Sequence, residues 1–380
     1  MSPIVIDLKN AEDLRDVVHQ AVAALAAGKI VALPTETVYG IAASALNSDA
    51  VQRLAHIKGR DPSKPFAFAI KSYEDALDYV PDMSPLARRI ARRCWPGPVT
   101  LVLPDGNPDS VIRRLPQEVQ QMAVPSGTVG LRVPAHETTL QILRLLAGPI
   151  VLTSANLSDQ DDCVDGDKVV AELGNEIDFI VNDGRSRFGQ PSSVVKIENG
   201  DLQLLRRGVI DEGTLEQMSG FIAVVVCTGN TCRSPMGEVI LKKLFADKIG
   251  CTIDDLEKHN ITVLSAGIAA MSGGAAANQA VEVMNEQNLN IAEHRSQPFT
   301  QRLASFADLI LTMTQGHREA IIAHWPQAAA RTHVIRKDGM DVSDPIGMSV
   351  DVYRSTADQI SENLKLWIDE VDLPDQPSDA

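Results

Sequence analysis

The sequence predicts an α/β protein of two domains, a mixed sheet over residues 1–220 and a doubly wound parallel sheet over residues 221–380. Three observations carry this expectation. Short β-branched runs alternate with amphipathic stretches along the whole chain, so the apolar period switches between 2 and 3.6. After a short polar segment, residues 209–220, a new apolar run starts at Phe221 and empties into a loop dense in reactive side chains. With 380 residues and 44% hydrophobic content, the chain suits two globular units, since a domain averages about 100 to 200 residues.

In the first half, an amphipathic helix is expected over residues 13–27, stopped by Gly28, a residue suited to a helix end. A strand over residues 29–33 follows, and then PTETVYG (34–40), read as an extended segment that presents hydroxyls to one side in alternation. A helix over residues 50–57 leads into KGRDPSKP (58–65), whose basic side chains taken alone also read as a solvated helix end. WPGPVTLVLP (95–104), TVGLRVP (128–134), PIVLTSANLS (149–158), and PSSVVKI with LLRRG (191–197 and 204–208) are spaced as strands of a mixed sheet. Their ends return Ser, Thr, Asn and Arg, which would line a pocket of hydroxyls and cations with almost no free acid or histidine base. Such a pocket suits phosphates and a carboxylate, and does not suit hydrolysis by a triad.

As an ordered series over residues 10–215, these motifs resemble the YrdC-like L-threonylcarbamoyladenylate synthases, with the four-residue signature of that family standing at Lys58, Arg60, Ser154 and Asn156. The resemblance implies a twisted α/β sheet with a concave basic face. It implies a reaction joining L-threonine, bicarbonate and ATP into threonylcarbamoyl-AMP and pyrophosphate, with Mg²⁺ accompanying ATP. The product would pass to the machinery that makes threonylcarbamoyladenosine in tRNA. By position, Thr37, Arg132, Ser154 and Ser192 would hold threonine, Arg132 taking its carboxylate, while Lys58, Arg60, Lys64, Thr128, Asn156 and Arg206 would hold ATP. Family members often carry a His where this chain has Ala69.

The second half opens on FIAVVVCTGNTCRS (221–234), which reads as strand, C-x5-R-S loop and helix. Backbone N–H groups of a tight turn through Thr228, Gly229, Asn230 and Thr231, leading into a helix N-terminus, make an anion nest. Arg233 adds a fork of donors for two phosphate oxygens. Cysteines in such surroundings have thiol pKa values lowered to roughly 3.5–7.5, so Cys227 is placed as a nucleophile and Ser234 as a hydrogen-bond donor to its sulfur. The alternative for Cys227 is a buried core cysteine. A zinc site on Cys227 and Cys232 lacks a second ligand pair, so no metal is expected. Downstream, strands over residues 261–264, 309–312 and 332–335 alternate with helices over 275–287, 315–323 and 349–371, the pattern of a doubly wound sheet. The reactive loop then lies at the C-terminal end of the first strand, where such folds bind ligands.

Residues 221–371, including SAG (265–267), HRSQP (294–298) and DVSDPIG (341–347), resemble the low-molecular-weight protein-tyrosine-phosphatase family. That resemblance makes Asp344 the general acid. Tyrosine-directed members usually carry a bulky aliphatic residue where this loop has Thr231, and aromatic residues where it has Ile346 and Gly347. CTGNTCRSP resembles the protein-arginine phosphatases of the family instead, which implies a phosphorylated protein as substrate and phosphoarginine before phosphotyrosine. Cys232 reads either as a resolving thiol for an oxidised Cys227 or as a packing residue.

The net charge of −15 divides evenly, −7 up to Gly220 and −8 after it, so neither half looks like a nucleic-acid binder by bulk charge, with room left for a local basic groove and a weak RNA contact. No apolar run reaches the roughly 20 residues of a membrane span, no charged leader precedes an apolar core, and five cysteines suit a reducing cytoplasm. The expected protein is a bifunctional cytoplasmic enzyme. The alternative is an RNA- or nucleotide-binding module without synthase activity, joined to a protein-tyrosine phosphatase.

Overall fold

The computed structural model describes residues 2–59, 65–157, 160–371 and 373, and the chain divides into two compact units, residues 1–216 and 217–380. Among the described residues the first unit holds one ten-stranded sheet. Its strands in chain order are β1 (Ile4–Asp7), β2 (Val31–Leu33), β3 (Gly40–Ser44), β4 (Ala67–Ala69), β5 (Val99–Pro104), β6 (Thr128–Arg132), β7 (Ile150–Ser154), β8 (Phe179–Asn182), β9 (Ser193–Glu198) and β10 (Asp201–Arg206). Across the sheet they run β1-β8-β2-β3-β7-β4-β6-β5-β9-β10, with parallel pairs such as β4 with β6 and antiparallel pairs such as β3 with β7. The sheet is therefore mixed, and its central strands are buried apolar runs, as strands covered on both faces should be.

Local chemistry sets the helix ends. The first helix, Leu14–Ala26, starts where the Asp13 carboxylate accepts the Arg15 N–H and stops before Gly28 at φ +74°. Ser84 caps Pro85–Cys94 and Asn47 caps Ser48–Ile57 in the same way. One expectation is corrected: PTETVYG is not extended. The Thr35 hydroxyl bonds Val38 O (2.6 Å) and accepts the Thr37 N–H (3.2 Å), folding residues 35–38 into a hydroxyl-closed turn between β2 and β3. The two threonine hydroxyls meet at 2.8 Å, on the same side because of the turn rather than by strand alternation.

The second unit has four parallel strands, β11 (Phe221–Cys227), β12 (Ile261–Gly267), β13 (Leu309–Thr312) and β14 (Thr332–Val334), in the order β12-β11-β13-β14. The period-2 alternation of β11 explains its double burial. Ala223 and Val225 pack into one core with the helices Arg233–Ile249 and Val350–Ile368, and Val224 and Val226 pack into a second core with Phe299, Ala304 and Ile321. Strand order reverses at β11, which places the end of that strand at the topological switch point.

Candidate active sites

In the first unit, one face of the sheet, with residues of β3 to β7, β9 and β10, lines a cleft of about 820 Å³. Lys58, Thr128, Arg132, Ser154, Asn156, Ser192 and Arg206 all line it, so seven of the ten positions expected from the sequence are brought together. Thr37 stands just behind, its hydroxyl accepting from Arg132 NH2 at 2.9 Å. Arg60 and Lys64 lie outside the described residues.

The bonding within the cleft is specific. Arg206 NH2 reaches Ser192 O (2.9 Å) and Ser192 Oγ (3.1 Å), and Thr100 Oγ1 meets the same Oγ at 3.0 Å. Burial pulls the Arg206 pKa down, with Asp162 opposing that shift and Arg132 adding to it. The Lys58 ammonium donates to Ser154 O (3.0 Å), Asn156 Oδ1 (3.1 Å) and Asn156 O, and so fixes the loop after β7. Ser154 Oγ bonds Asn156 Oδ1 at 2.5 Å.

Glu36 was not anticipated. It is buried and pairs with Arg132 NH2 at 2.8 Å, while its other oxygen accepts the Ala135 N–H at 2.8 Å. Glu36 does not line the cleft and its charge is paired, so it is no free base of the pocket. A carboxylate between the two threonines of this motif was the available signal, since a buried carboxylate requires a partner. With Arg132 Nε on Gly97 O (3.3 Å) and NH2 on Glu36 and Thr37, NH1 is the guanidinium nitrogen with no partner among the described residues.

In the second unit, the loop after β11 wraps around one sulfur. Cys227 Sγ accepts the Asn230 N–H at 3.2 Å and lies 3.0 Å from Ser234 Oγ. The residue in left-handed conformation is Asn230 (φ +55°) rather than Gly229, and its side chain holds that conformation. Asn230 Nδ2 donates to Ser234 Oγ and Ser265 Oγ, each at 2.9 Å, and Oδ1 accepts the Gln297 N–H at 2.8 Å. His294 Nε2 lies 2.8 Å from Asn230 O. SAG ends in Gly267 because a Cβ there would stand 2.4 Å from Thr228 O. Arg233 starts the following helix, donates NH1 to Val342 O (3.1 Å), and pairs through NH2 with Asp344, which is half-exposed. Cys232 is buried with Sγ 3.3 Å from the Tyr353 hydroxyl and 3.7 Å from Thr231 Oγ1. Burial, then the bond to Cys232, pushes the Tyr353 phenol pKa upward.

Comparison with known proteins decides the family of each half. A family model described as "Telomere recombination", of the Sua5, YciO and YrdC type, matches residues 23–208, and one described as "Low molecular weight phosphotyrosine protein phosphatase" matches residues 222–376. A threonylcarbamoyl-AMP synthase of Pyrococcus abyssi is 33% identical over 244 residues, covering 60% of this chain and 68% of that protein. A protein-arginine-phosphatase of Bacillus subtilis is 36% identical over 146 residues, covering 37% of this chain and 91% of that protein. The chain belongs to both families. A crystal structure of P. abyssi Sua5 complexed with L-threonine shares the fold, with 23% identity and a TM-score of 0.51 over 70% of this chain and 92% of that one.

The phosphatase half holds one further residue that the sequence reading passed over. His317 is buried, its Nε2 lies 2.9 Å from Thr228 Oγ1, and its Nδ1 is buried without a partner. An orphaned buried N–H costs more than an orphaned lone pair, so the proton belongs on Nε2. It then donates to Thr228 Oγ1. Burial first, then the nearby Arg233 charge, lowers the His317 pKa to about 4. Between the ordinary value of 6.5 and that level, the unfolded chain binds a proton that the folded one refuses, so stability falls as pH drops through this window. From pH 7.5 to 4.5 the second unit is expected to lose about 2 to 3 kcal/mol more in the wild type than in His317→Gln. Urea unfolding at the two pH values checks this, and parallel losses in both proteins would refute it.

Among the described residues no helix is long and apolar enough to cross a membrane, and no group of His, Cys, Asp and Glu could hold a metal ion.

Proposed function

We propose that the synthase half joins L-threonine, bicarbonate and ATP into threonylcarbamoyl-AMP for tRNA modification, and that the phosphatase half hydrolyses phosphorylated side chains of proteins, phosphoarginine before phosphotyrosine. The observation that supports the first activity best is the Arg132 fork, held by Glu36 and Thr37 with one nitrogen left over in a cleft otherwise lined by hydroxyls and cations. The threonine carboxylate sits on that nitrogen, close to the hydroxyls of Ser154 and Ser192. ATP lies toward Thr128, Asn156 and Arg206, and the family resemblance adds Arg60 and Lys64 to its contacts. Lys58 acts through the loop that it organises. Carboxylated threonine attacks the α-phosphorus, and cations that spread the phosphate charge lower that barrier. Asp162 is the carboxylate in the cleft lining, which suits a Mg²⁺ ion held mainly by ATP's own phosphates. That ion would help neutralise the phosphate charge when ATP binds.

In the second activity, the Cys227 sulfur forms the S–P bond as the bond from phosphorus to the leaving group breaks. Arg233 and the backbone N–H groups of the loop, other than that of Asn230, which bonds Cys227 Sγ, hold the phosphoryl oxygens. For Asp344 to protonate the leaving nitrogen or oxygen, its pairing with Arg233 must open and the arginine must turn to phosphate. Water then attacks phosphorus, Asp344 accepts its proton, and the S–P bond breaks to give free phosphate.

Phosphoarginine preference rests on Thr231, a small polar wall, and on Ile346 and Gly347, which supply no aromatic clamp. The kcat/KM of the intact chain is expected to favour phosphoarginine over phosphotyrosine, with Thr231→Ile moving the ratio toward phosphotyrosine by about tenfold. A wild type that favours phosphotyrosine, unmoved by Thr231→Ile, would leave an ordinary tyrosine phosphatase.

A further inference from the structure

Single exposed apolar side chains are ordinary on a protein surface, and their concentration in one place is informative. Among the described residues of the second unit, seven large apolar side chains are exposed, and five of them stand on two segments bonded to the catalytic loop. Ile268 and Met271 follow β12, and Met340, Ile346 and Met348 precede the last helix, with exposures from 39% at Ile268 to 87% at Met271.

Both segments are pinned by their backbones. Ile268 N donates to Cys227 O (3.0 Å), Ala269 N to Thr228 O (3.0 Å), Ala277 N to Thr231 O (2.8 Å), and Met271 O accepts Ser296 Oγ at 2.5 Å. In the other segment, Val342 O receives Arg233 NH1 at 3.1 Å and Met348 N donates to Pro345 O at 2.9 Å, while the Asp341 carboxylate adds a side-chain anchor by accepting the Gln315 N–H at 2.8 Å. Exposure here is thus a property of fixed loops. Three of the five side chains are methionines, unbranched and polarizable, which repack against varied apolar partners. Cys227 itself is 3% exposed, so a phosphorylated side chain that reaches its sulfur leaves the neighbouring residues of its own polypeptide over these segments.

We infer that the 268–271 and 340–348 segments form an adaptable apolar rim that binds apolar side chains flanking the phosphorylated residue of a protein substrate. In folded proteins such flanking residues are mostly buried, so the preferred substrate is an extended or locally unfolded segment. This inference rests on the phosphatase reading, and is independent of the choice between arginine and tyrosine.

The test uses the intact chain with each phosphoamino acid in three forms: free, in a peptide with Leu and Phe flanks, and in one with Ser and Gly flanks. The apolar-flanked peptide is expected to exceed the polar-flanked one in kcat/KM by about tenfold. In Met271→Ser/Met348→Ser that ratio falls toward one, while turnover of the free phosphoamino acid stays within about twofold and shows that the site is intact. Equal rates on the two peptides in the wild type, or a flank preference that survives the double substitution, would overturn the rim. Turnover of phosphotyrosine forms in place of phosphoarginine forms would correct the selectivity and leave the flank ratio readable. Absence of turnover on every form would remove the phosphatase reading and the rim with it.

Discussion

Cys227→Ser is expected to lower phosphoryl turnover by at least about 10⁴-fold, on either phosphoarginine or phosphotyrosine, with the fold of the second unit kept. The arrangement at the sulfur explains both halves of this result. The Asn230 N–H and Ser234 Oγ, 3.2 and 3.0 Å away, both converge on the sulfur, and a serine oxygen in its place is a far weaker nucleophile toward phosphorus. The same two groups can hydrogen-bond a serine hydroxyl, so the buried position stays satisfied and unfolding should shift by less than about 1 kcal/mol. Residual activity close to the wild type would show that another nucleophile acts.

The second large effect lies in the other half. Arg132→Ala is expected to raise the threonine concentration needed for half-maximal rate by about tenfold to a hundredfold, because a charge-assisted pair with the substrate carboxylate is lost. It also strands Glu36 as a buried carboxylate, and breaking such a pair costs roughly 3–5 kcal/mol. The double variant Arg132→Ala/Glu36→Ala separates the two consequences: stability should largely return while threonine binding stays weak. Threonine kinetics together with urea unfolding of both variants give the answer. Recovery of threonine binding in the double variant would mean that Arg132 merely keeps Glu36 neutralised.

How much of this was legible in the sequence depends on the distance along the chain. The loop after β11 could be read because its parts are contiguous: Cys227, Asn230 and Ser234 bond one another within eight residues that also hold Arg233, between a strand and a helix whose apolar periods announce them. β13 falls on Leu309–Thr312 as the apolar run indicated. The PTETVYG turn was hidden because β-branched threonines favour extended backbone, and here the Thr35 hydroxyl overrides that preference by bonding Val38 O. The Arg132 pair with Glu36 joins residues 96 apart, and the Thr228 contact with His317 joins residues 89 apart. No periodicity records such contacts. β1 is likewise set by its distant partner, pairing Ile4 with Phe179 at a sheet edge where its own four residues carry little pattern.

The claim that one chain carries two separate reactions is tested most directly by following both products in one vessel. Wild type and Cys227→Ser, each as the intact chain, are incubated with ATP, Mg²⁺, bicarbonate, labelled threonine and phosphoarginine. Both proteins are expected to form labelled threonylcarbamoyl-AMP and pyrophosphate at the same rate, only when threonine and bicarbonate are both present, and only the wild type to release phosphate from phosphoarginine. Failure of both proteins to form the labelled nucleotide, with RNA bound instead in a steeply salt-dependent manner, would contradict that claim.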